Sequence, residues 1–375
     1  MNEEIYPRVK ASLRVLARRD GTIYVGDARD GFVLDAIPYR QLLRHSTGVH
    51  SHAQIAEQLN LSPRALLHLL HELTCLGVIE NLTGPDHTHA AHMQQQHHLN
   101  ARERVESERS LITHRSTDGG AGELQARAEF HIEIRGDTRI ARNLLALLVG
   151  SGFTSTTLQL SPYDQALLHA RDLNALTVTS EHLGKSKALH HRDIVRHNQL
   201  IMHNLSGSDL RVVSTHRRRD LIVATAVVSA QDIQEWQSEG VRHLAISEVI
   251  AQTLEISPII EPGAGPCLRC LSLHRRDALP DDLSLLAQPE QIGELPISSA
   301  ALVAALVASK IANFAHQVHG AAGIPVMDQS EDLESYRRKS QMINLLDPSQ
   351  PMEDRRWNFH PECGCVDVRR RAWPR

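Results

Sequence analysis

Four of the five cysteines form two short pairs, and this pairing constrains the fold of the 375-residue chain more than any other feature. Cys267 and Cys270 are three residues apart, and Cys363 and Cys365 are two residues apart near the end of the sequence. Short cysteine pairs from two distant segments can supply four thiolates to one tetrahedral metal ion. The spacing therefore predicts a structural zinc site that ties the two segments together.

Disulfides or free thiols are the alternative for the same cysteines. The first ten residues lack the apolar segment of a secretory leader, so we expect a cytoplasmic protein, in which disulfides are disfavoured. Four thiolates would also fill the coordination shell of zinc and leave no position for a reactive water. We therefore favour structural zinc. The fifth cysteine, Cys75, lies on an apolar helical stripe and is predicted to be a small core residue.

Composition argues against two classes of partner. The formal net charge of −4 gives no electrostatic basis for nucleic acid or an anionic membrane as the main partner. The best candidate for a membrane span, Ala300–Ala308, is about half of the roughly 20 residues that a spanning helix needs. The hydrophobic content of 41% is that of a soluble globular protein, and the length allows two or three domains.

Residues 1–83 predict strands combined with a helix-turn-helix. Apolar and polar positions alternate on both sides of Asp20-Gly21, which predicts a β-hairpin with a tight turn. Ser51 and Ser62-Pro63 are typical helix starts, and Gly77 is a typical helix stop before a returning strand. The region is therefore predicted to be a winged-helix-like α+β domain.

Winged helices commonly bind DNA, but the charge of this one argues against it. Residues 1–80 contain nine Lys or Arg and nine Asp or Glu. A protein that binds a DNA groove needs several cations for the phosphates and Arg, Asn or Gln side chains for the base edges. A winged-helix DNA-binding regulator stays a minor alternative.

Residues 84–125 are polar, rich in His and Gln, and include Gly119-Gly120. Such a segment cannot bury enough apolar surface to fold by itself, which predicts a flexible linker. Its histidines could bind a transition metal adventitiously, but a solvated spacer is the favoured interpretation.

From residue 126 onward the pattern is strand–helix–strand. Residues 130–134 and 156–160 predict strands on either side of an apolar helix at 140–148. The continuous run Leu221–Val228 is typical of a strand buried on both faces. We expect an α/β domain with a mostly parallel sheet over residues 126–375.

This region resembles the ThiF-like superfamily, the ubiquitin-activating-type adenylating proteins. The resemblance rests on Glu261–Arg275 (EPGAGPCLRCLSLHR), on the Ala-rich helix at 300–316 and on His360–Cys365 (HPECGC). It is closest to bacterial members that work with a leader-peptide-recognition domain in azole and azoline (cyclodehydratase) peptide biosynthesis. The resemblance implies a Rossmann-like domain with a four-cysteine zinc site, a possible homodimer, and a winged helix that holds a leader peptide by strand addition.

Active members of the family bind ATP, and the residues for this are incomplete here. Of a G-x-G-x-x-G turn after the first strand only Gly136 is present, and Asp137 would place negative charge where phosphates should bind. Residues 161–163 offer no acid for the ribose, and residues 229–231 replace an expected aspartate. Lys185, after Gly184, resembles the family's glycine–lysine segment, although the same residues are equally typical of a helix start.

The sequence therefore predicts a non-catalytic ThiF-like scaffold with structural zinc, no ATP, and Gly136 and Lys185 as remnants of a nucleotide site. Its expected partners are a leader peptide and a cyclodehydratase-type ATPase encoded elsewhere. An ATP-dependent adenylating enzyme that activates a peptide or a small carboxylate is the alternative.

Overall fold

The computed structural model describes residues 5–10, 13–26, 31–82, 126–159, 166–174, 176–206, 219–249, 253–278, 295–319, 329–345, 347 and 352–365. Contacts between Cα atoms divide the chain into two compact units, 1–125 with 201–210 and 126–200 with 211–375. The predicted linker, 84–125, lies outside the described residues. The assignment of 1–83, 84–125 and 126–375 to a recognition domain, a linker and a ThiF-like domain stays a prediction.

The first unit combines short antiparallel strands with three helices. Its elements are β1 (Tyr6–Val9), β2 (Arg14–Ala17), β3 (Ile23–Gly26), β4 (Gly31–Leu34), α1 (Ala36–His45), α2 (His52–Gln58), α3 (Pro63–Cys75) and β5 (Ile79–Leu82). Strands β2, β3 and β4 form a three-stranded sheet in that order, and β1 pairs with β5. The sequence did not indicate β1 or β4.

Local chemistry explains the turns and helix starts of this unit. Gly21 has φ +85°, and the Asp20 carboxylate accepts the backbone N–H of Thr22 at 3.0 Å, which closes the β2–β3 turn. The hydroxyls of Ser51 and Ser62 each accept the backbone N–H three residues later and begin α2 and α3. These features confirm the predicted hairpin and both predicted helix starts.

The prediction for Cys75 was wrong. Helix α3 buries Leu66, Leu70 and Leu73 in the core of the unit, whereas Cys75 is exposed. Each helical residue advances by about 100° around the axis, so Cys75 lies about 200° beyond Leu73 on the opposite face.

The second unit is an α/β structure built on one seven-stranded sheet. Its elements are β6 (Ile132–Arg135), α4 (Arg139–Gly150), β7 (Thr156–Gln159), α5 (Lys187–Ser206, of which residues 201–206 fall in the first unit), β8 (Leu221–Ala224), α6 (Ala230–Ser238), β9 (Arg242–Val249), β10 (Thr253–Ile256), α7 (Leu268–Ala278), α8 (Ile297–His319), α9 (Gln329–Arg338), β11 (Lys339–Asn344) and β12 (Glu353–Arg356). The strand order is β12-β11-β10-β9-β8-β6-β7. Strands β7, β6, β8 and β9 are parallel, and β10 to β12 extend the sheet in antiparallel fashion.

Apolar cores cover both faces of this sheet. In β8, Leu221 and Val223 belong to a cluster with α4 and α8, while Ile222 and Ala224 belong to a second cluster with α6, α7 and the cysteines. Residues Leu221–Ala224 are buried on both faces, as the apolar sequence predicted, but the strand ends at Ala224, and Val227 in the second half of the predicted run is 56% exposed.

Helix α8 was underestimated from the sequence. Its residues Ile297–Val318 are, among the described residues, the one helix long and apolar enough to cross a membrane by length and composition, and half of its most apolar window is buried. Val303, Val307, Ile311 and Phe314 are fully buried in the cluster that includes α4. The expectation that no segment reaches this length was wrong, because the apolar run was counted only to Ala308, whereas the helix begins at Ile297 and continues through Lys310, as the predicted Ala-rich helix at 300–316 also does.

Candidate metal centre and sheet-end site

The first cysteine pair lies at the start of α7. The carbonyl of Cys267 accepts the backbone N–H of Leu271 at 3.2 Å, which makes Cys267 the residue that caps the helix, and Cys270 lies in its first turn. Both side chains are buried, with Cys270 completely inaccessible. Because the N-terminal end of a helix carries partial positive charge, this position favours thiolates.

The second pair meets the first pair although 93 residues separate Cys270 from Cys363 in the sequence. The Sγ–Sγ distances are 3.8 Å for Cys267–Cys270, 3.5 Å for Cys267–Cys363 and 3.3 Å for Cys270–Cys365. All four sulfur atoms lie within 4.8 Å of one another. Tetrahedral Zn–S bonds of about 2.3 Å would place sulfur atoms roughly 3.8 Å apart. The four cysteines could therefore hold one metal ion.

Three of the four thiols have pKa values shifted by their close contacts. Hydrogen bonds from Cys270 and Cys365 lower the pKa of Cys267 below its usual range. The contact with Cys267 in turn raises the pKa of Cys270 to about 11 and also raises the pKa of Cys365. The Cys267 thiolate therefore favours the protonated form of Cys270 and Cys365. A divalent cation would replace these protons, because a coordinating thiol is deprotonated by the metal.

His360 connects the second cysteine segment, residues 360–365, to α7 through hydrogen bonds. The sequence did not predict this role. Its side chain is 2% exposed, its Nδ1 accepts the backbone N–H of Glu362 at 3.1 Å, and its Nε2 lies 2.7 Å from an oxygen of Asp277. With Nδ1 accepting, Nε2 carries the hydrogen and donates a hydrogen bond to the Asp277 carboxylate. The backbone N–H of His360 also points at the sulfur of Cys270 at 3.4 Å. The only sequence signal was a histidine three residues before the CxC pair.

The second candidate site lies where the parallel strand order reverses. The carboxyl ends of β6 and β8 are adjacent, while β7 and β9 continue on opposite sides, and ligands commonly bind at such a point. Gly136 follows β6 with φ +109°, and a Cβ at this position would lie 2.7 Å from Thr225 Oγ1 and 2.9 Å from Ala226 Cβ. Thr138 also donates to Thr225 Oγ1 at 3.0 Å. Glycine is thus required because the turn after β6 packs directly on the turn after β8.

Asp137, the next residue, is neutralised by two cations of the chain itself. Its two carboxylate oxygens form ion pairs with the Arg142 guanidinium and with the Lys187 ammonium group. Arg142 also binds Asp172 at 2.8 Å, and Lys187 lies 3.4 Å from the same Asp172 oxygen. The side chains of Arg142, Lys187 and Asp172 are 0%, 2% and 1% exposed. We call these four residues the Asp137 cluster.

His191 lies beside this cluster without a hydrogen-bond partner. It is 5% exposed, and neither ring nitrogen is hydrogen-bonded. Burial, together with the nearby Arg142 charge, lowers the pKa of His191 to about 4, so its ring is neutral at physiological pH. For Asp172, burial raises the pKa, but the N–H of His169 and the two cations outweigh it and leave a pKa below the usual range.

Lys185 occupies a different place from Lys187. It is exposed and lines a cavity of about 590 Å³ together with His182, His190 and Asp193. Lys187, two residues later, is the lysine that contacts Asp137. The assignments of Gly136 and Lys185 to a nucleotide remnant stay predictions.

The sequence also departs from the family's ATP site at residues 161–163 and at residues 229–231. Residues 161–163 lie outside the described ranges. Ser229 begins α6, where its hydroxyl and the Asp232 side chain form reciprocal hydrogen bonds with the backbone. Asp232 in turn pairs with Arg135 at 3.0 Å.

No protein-family model and no curated protein matches the sequence. Solved structures do match the fold. The heterocyclase TruD is 13% identical with a TM-score of 0.57, over 96% of this chain and 43% of TruD. MccB of E. coli, solved with ATP, is 12% identical with a TM-score of 0.57, over 96% of this chain and 99% of MccB. The microcin C7 biosynthetic enzyme MccB in complex with N-formylated MccA is 11% identical with a TM-score of 0.57, over 96% of this chain and 99% of MccB. This chain thus spans less than half of TruD and shares the fold of nearly all of MccB.

Proposed function

We propose that this chain is a non-catalytic ThiF-like protein that binds an extended leader peptide and serves as a scaffold in the modification of ribosomal peptides. The likeness in fold to the heterocyclase TruD and to MccB in complex with MccA supports this class of function. One observation carries the peptide-binding part: the β2-β3-β4 sheet presents an apolar row across its strands and has two outer strands.

The apolar row consists of Leu16, Tyr24 and Val33. The strand register places Leu16 opposite Tyr24 and Tyr24 opposite Val33, so the three side chains share one face. Leu16 is 53% exposed and Val33 is 48% exposed. An extended peptide that adds a strand to such a sheet gains main-chain hydrogen bonds and can place alternate side chains on the apolar row.

We place the peptide at the β4 edge. Gly31 begins β4, and a Cβ there would lie 2.2 Å from the Tyr24 hydroxyl oxygen, so the missing side chain lets the Tyr24 ring reach across β4. Ile37, just after β4, is the most exposed large hydrophobic residue among those described, at 87%. Val33 and Tyr24 offer apolar contacts along this edge, and Ile37 is an exposed apolar residue that follows β4 in the sequence.

Titration of the full-length, zinc-loaded protein with candidate leader peptides tests this proposal. Val33→Asp should weaken binding at least tenfold, because a charge would stand in the apolar contact. Leu16→Asp is the matched control on the opposite outer strand, since its exposure is nearly the same, and it should change affinity much less. A larger loss with Leu16→Asp would move the site to the β2 edge, and equal affinity for wild type and both variants would refute peptide binding by this sheet.

We further propose that the metal of the four-cysteine site is zinc and that it is structural. Four sulfur ligands at tetrahedral spacing are the typical donor set for structural zinc, and they leave no open coordination position for substrate. Bound there, the ion would supply a crosslink between α7 and the segment after β12. Cys267, Cys270, Cys363 and Cys365 would hold it, with His360 orienting the second pair.

The Asp137 cluster supports the non-catalytic part of the proposal, because a carboxylate already neutralises the cations beside the turn after β6. An adenylating enzyme is the second candidate, and the likeness in fold to MccB with ATP favours it. Calorimetric titration with ATP–Mg separates the two. Saturable heat with a defined stoichiometry would identify an enzyme, and no binding would leave the scaffold.

The remaining partners follow from the family resemblance. We expect a cytoplasmic protein that forms a homodimer and binds a cyclodehydratase-type ATPase, with neither nucleic acid nor membrane as a main partner. Light scattering after size-exclusion chromatography would determine the oligomeric state.

A further inference from the structure

We propose that Arg142 and Lys187 form an oxyanion-binding site whose occupant in the native chain is the Asp137 carboxylate, and that removal of this carboxylate opens the site to inorganic phosphate. Asp137 thus acts as an internal anion that excludes inorganic phosphate. The inference extends the proposed non-catalytic function, on which it rests for its biological meaning, but its chemistry depends on the Asp137 cluster alone.

The charge balance of the cluster is the first argument. It contains two cations, Arg142 and Lys187, and two anions, Asp137 and Asp172. Among the contacts that the structure describes, these four side chains therefore carry no net charge. Removal of one carboxylate would leave a net positive charge on side chains that are almost completely buried, and such a charge strongly favours the entry of an anion.

The two carboxylates differ in whether a ligand could replace them. Asp172 is 1% exposed, and its second oxygen accepts the backbone N–H of His169 at 2.8 Å, so it is fixed in the interior. Asp137 is 26% exposed and can be reached from solvent. The position of Asp137 is thus the one at which an ion from solvent could reach both cations.

The surroundings of Asp137 offer more hydrogen-bond donors and positive charge than one carboxylate uses, and so they suit a phosphate better. Asp137 directly precedes Thr138, which caps the 12-residue helix α4, so the partial positive charge of this helix end faces the same position. The neutral ring of His191 lies beside the two cations, buried and without a partner. A phosphate has more acceptor oxygens than a carboxylate, and an unpartnered imidazole N–H can donate to one of them.

The test is phosphate binding by Asp137→Ala, measured by calorimetry and by the dependence of the melting temperature on phosphate concentration. We expect the wild type to show no saturable binding. The variant should be less stable than wild type without phosphate, and added phosphate should raise its melting temperature as ligand binding stabilises the folded state. Asp137→Asn, which keeps the shape of the side chain and removes its charge, is the second variant if Asp137→Ala does not fold, and its affinity for phosphate should exceed that of the wild type at least tenfold.

Two controls distinguish phosphate binding at this site from a general effect of removing an acidic side chain. Asp137→Ala combined with Lys187→Met restores neutrality, so it should be more stable than Asp137→Ala alone and should bind no phosphate. Asp232→Asn removes another acid at a helix start, one that pairs with the half-buried Arg135 rather than with buried cations, and it should gain no binding.

Each outcome decides the question. Saturable phosphate binding by the wild type would show that Asp137 is not an internal occupant. Folded Asp137→Ala and Asp137→Asn proteins that both ignore phosphate would show that the cations do not form a site. Wild type that binds ATP–Mg but not phosphate would refute the non-catalytic function while leaving the internal anion intact.

Discussion

The cysteine cluster and the Asp137 cluster are both buried in the second unit, but they differ in charge balance. The four thiols offer up to four negative charges, and the contacts described around them are hydrogen bonds from backbone and thiol groups rather than ion pairs with a cation. The Asp137 cluster contains two cations and two carboxylates in mutual contact. The first site could therefore hold an external cation, whereas the four described side chains of the second site balance one another in charge. The internal charge balance of a buried site thus indicates which ligand it requires.

We expect the largest effect from removing one ligand of the four-cysteine site. Cys363→Ser should reduce zinc from about one ion per chain to nearly none and lower the melting temperature by roughly 10 °C or more, because metal binding contributes folding free energy. Metal analysis and thermal unfolding of the same preparation would measure both quantities. Cys75→Ser is the control, since its thiol is exposed on α3, and it should keep its zinc. Full zinc content in Cys363→Ser would contradict the four-cysteine assignment.

Removal of one charged side chain from the Asp137 cluster, without its partner, should destabilise the folded protein. Arg142→Met leaves Asp137 and Asp172 with a single cation, and we expect the free energy of unfolding to fall by about 3–5 kcal/mol, as for other broken buried ion pairs. Denaturant unfolding would measure the loss. Lys339→Met removes an exposed partner of Asp354 in the same unit and should cost less than about 1 kcal/mol. Equal losses of unfolding free energy in the two variants would mean that the buried ion pairs of the cluster contribute no more to stability than an exposed pair.

The sequence was sufficient for the features that depend on local pattern. The two cysteine pairs, the Asp20-Gly21 turn, the helix starts at Ser51 and Ser62 and the buried strand β8 each follow from short-range spacing. The antiparallel strands β10 to β12 were not predicted, because short strands with mixed polarity give no clear period-two signal.

The Asp137 cluster shows the limit of sequence reasoning about sites. Asp137 was recognised as a charge that opposes phosphate binding, but the other members of its cluster, Arg142, Asp172 and Lys187, come from three different segments. The sequence analysis named Lys185, whereas the lysine in contact with Asp137 is Lys187, because a two-residue shift at a helix start changes which side chain points inward. Such pairings depend on tertiary contacts that spacing does not encode.

Lys310 is a third case, a buried cation held by carbonyl oxygens. Its Nζ donates to the carbonyls of Ser257 and Lys339 at 3.0 and 3.3 Å. Burial lowers its pKa to about 8, against the opposing charges of Asp354 and Glu255. The unfolded chain keeps this proton to about pH 10.5, so it binds more protons than the folded chain between pH 8 and 10.5, and stability rises with pH in that window.

We expect the difference in unfolding free energy between wild type and Lys310→Met to shift in favour of wild type by up to about 3 kcal/mol from pH 8 to pH 10.5. Other titrating groups cancel in this difference, which denaturant unfolding at several pH values would measure. A flat difference would mean that Lys310 titrates alike in the folded and unfolded chains.

The smallest effect should come from the contact that orients the metal ligands rather than from a ligand. His360→Asn can keep an acceptor for the N–H of Glu362 but is too short to reach Asp277, so the second cysteine segment loses its bond to α7. We expect zinc affinity to fall about 10- to 100-fold, the usual cost of losing a residue that supports metal ligands. Competition with a chelator of known affinity would measure it, and the stoichiometry should stay at one because all four sulfur ligands remain. Affinity equal to wild type would show that the cysteines are held without His360. Loss of the ion altogether would show that His360 holds the second pair in place, and the charge balance of the thiols alone would then not be sufficient to keep the metal.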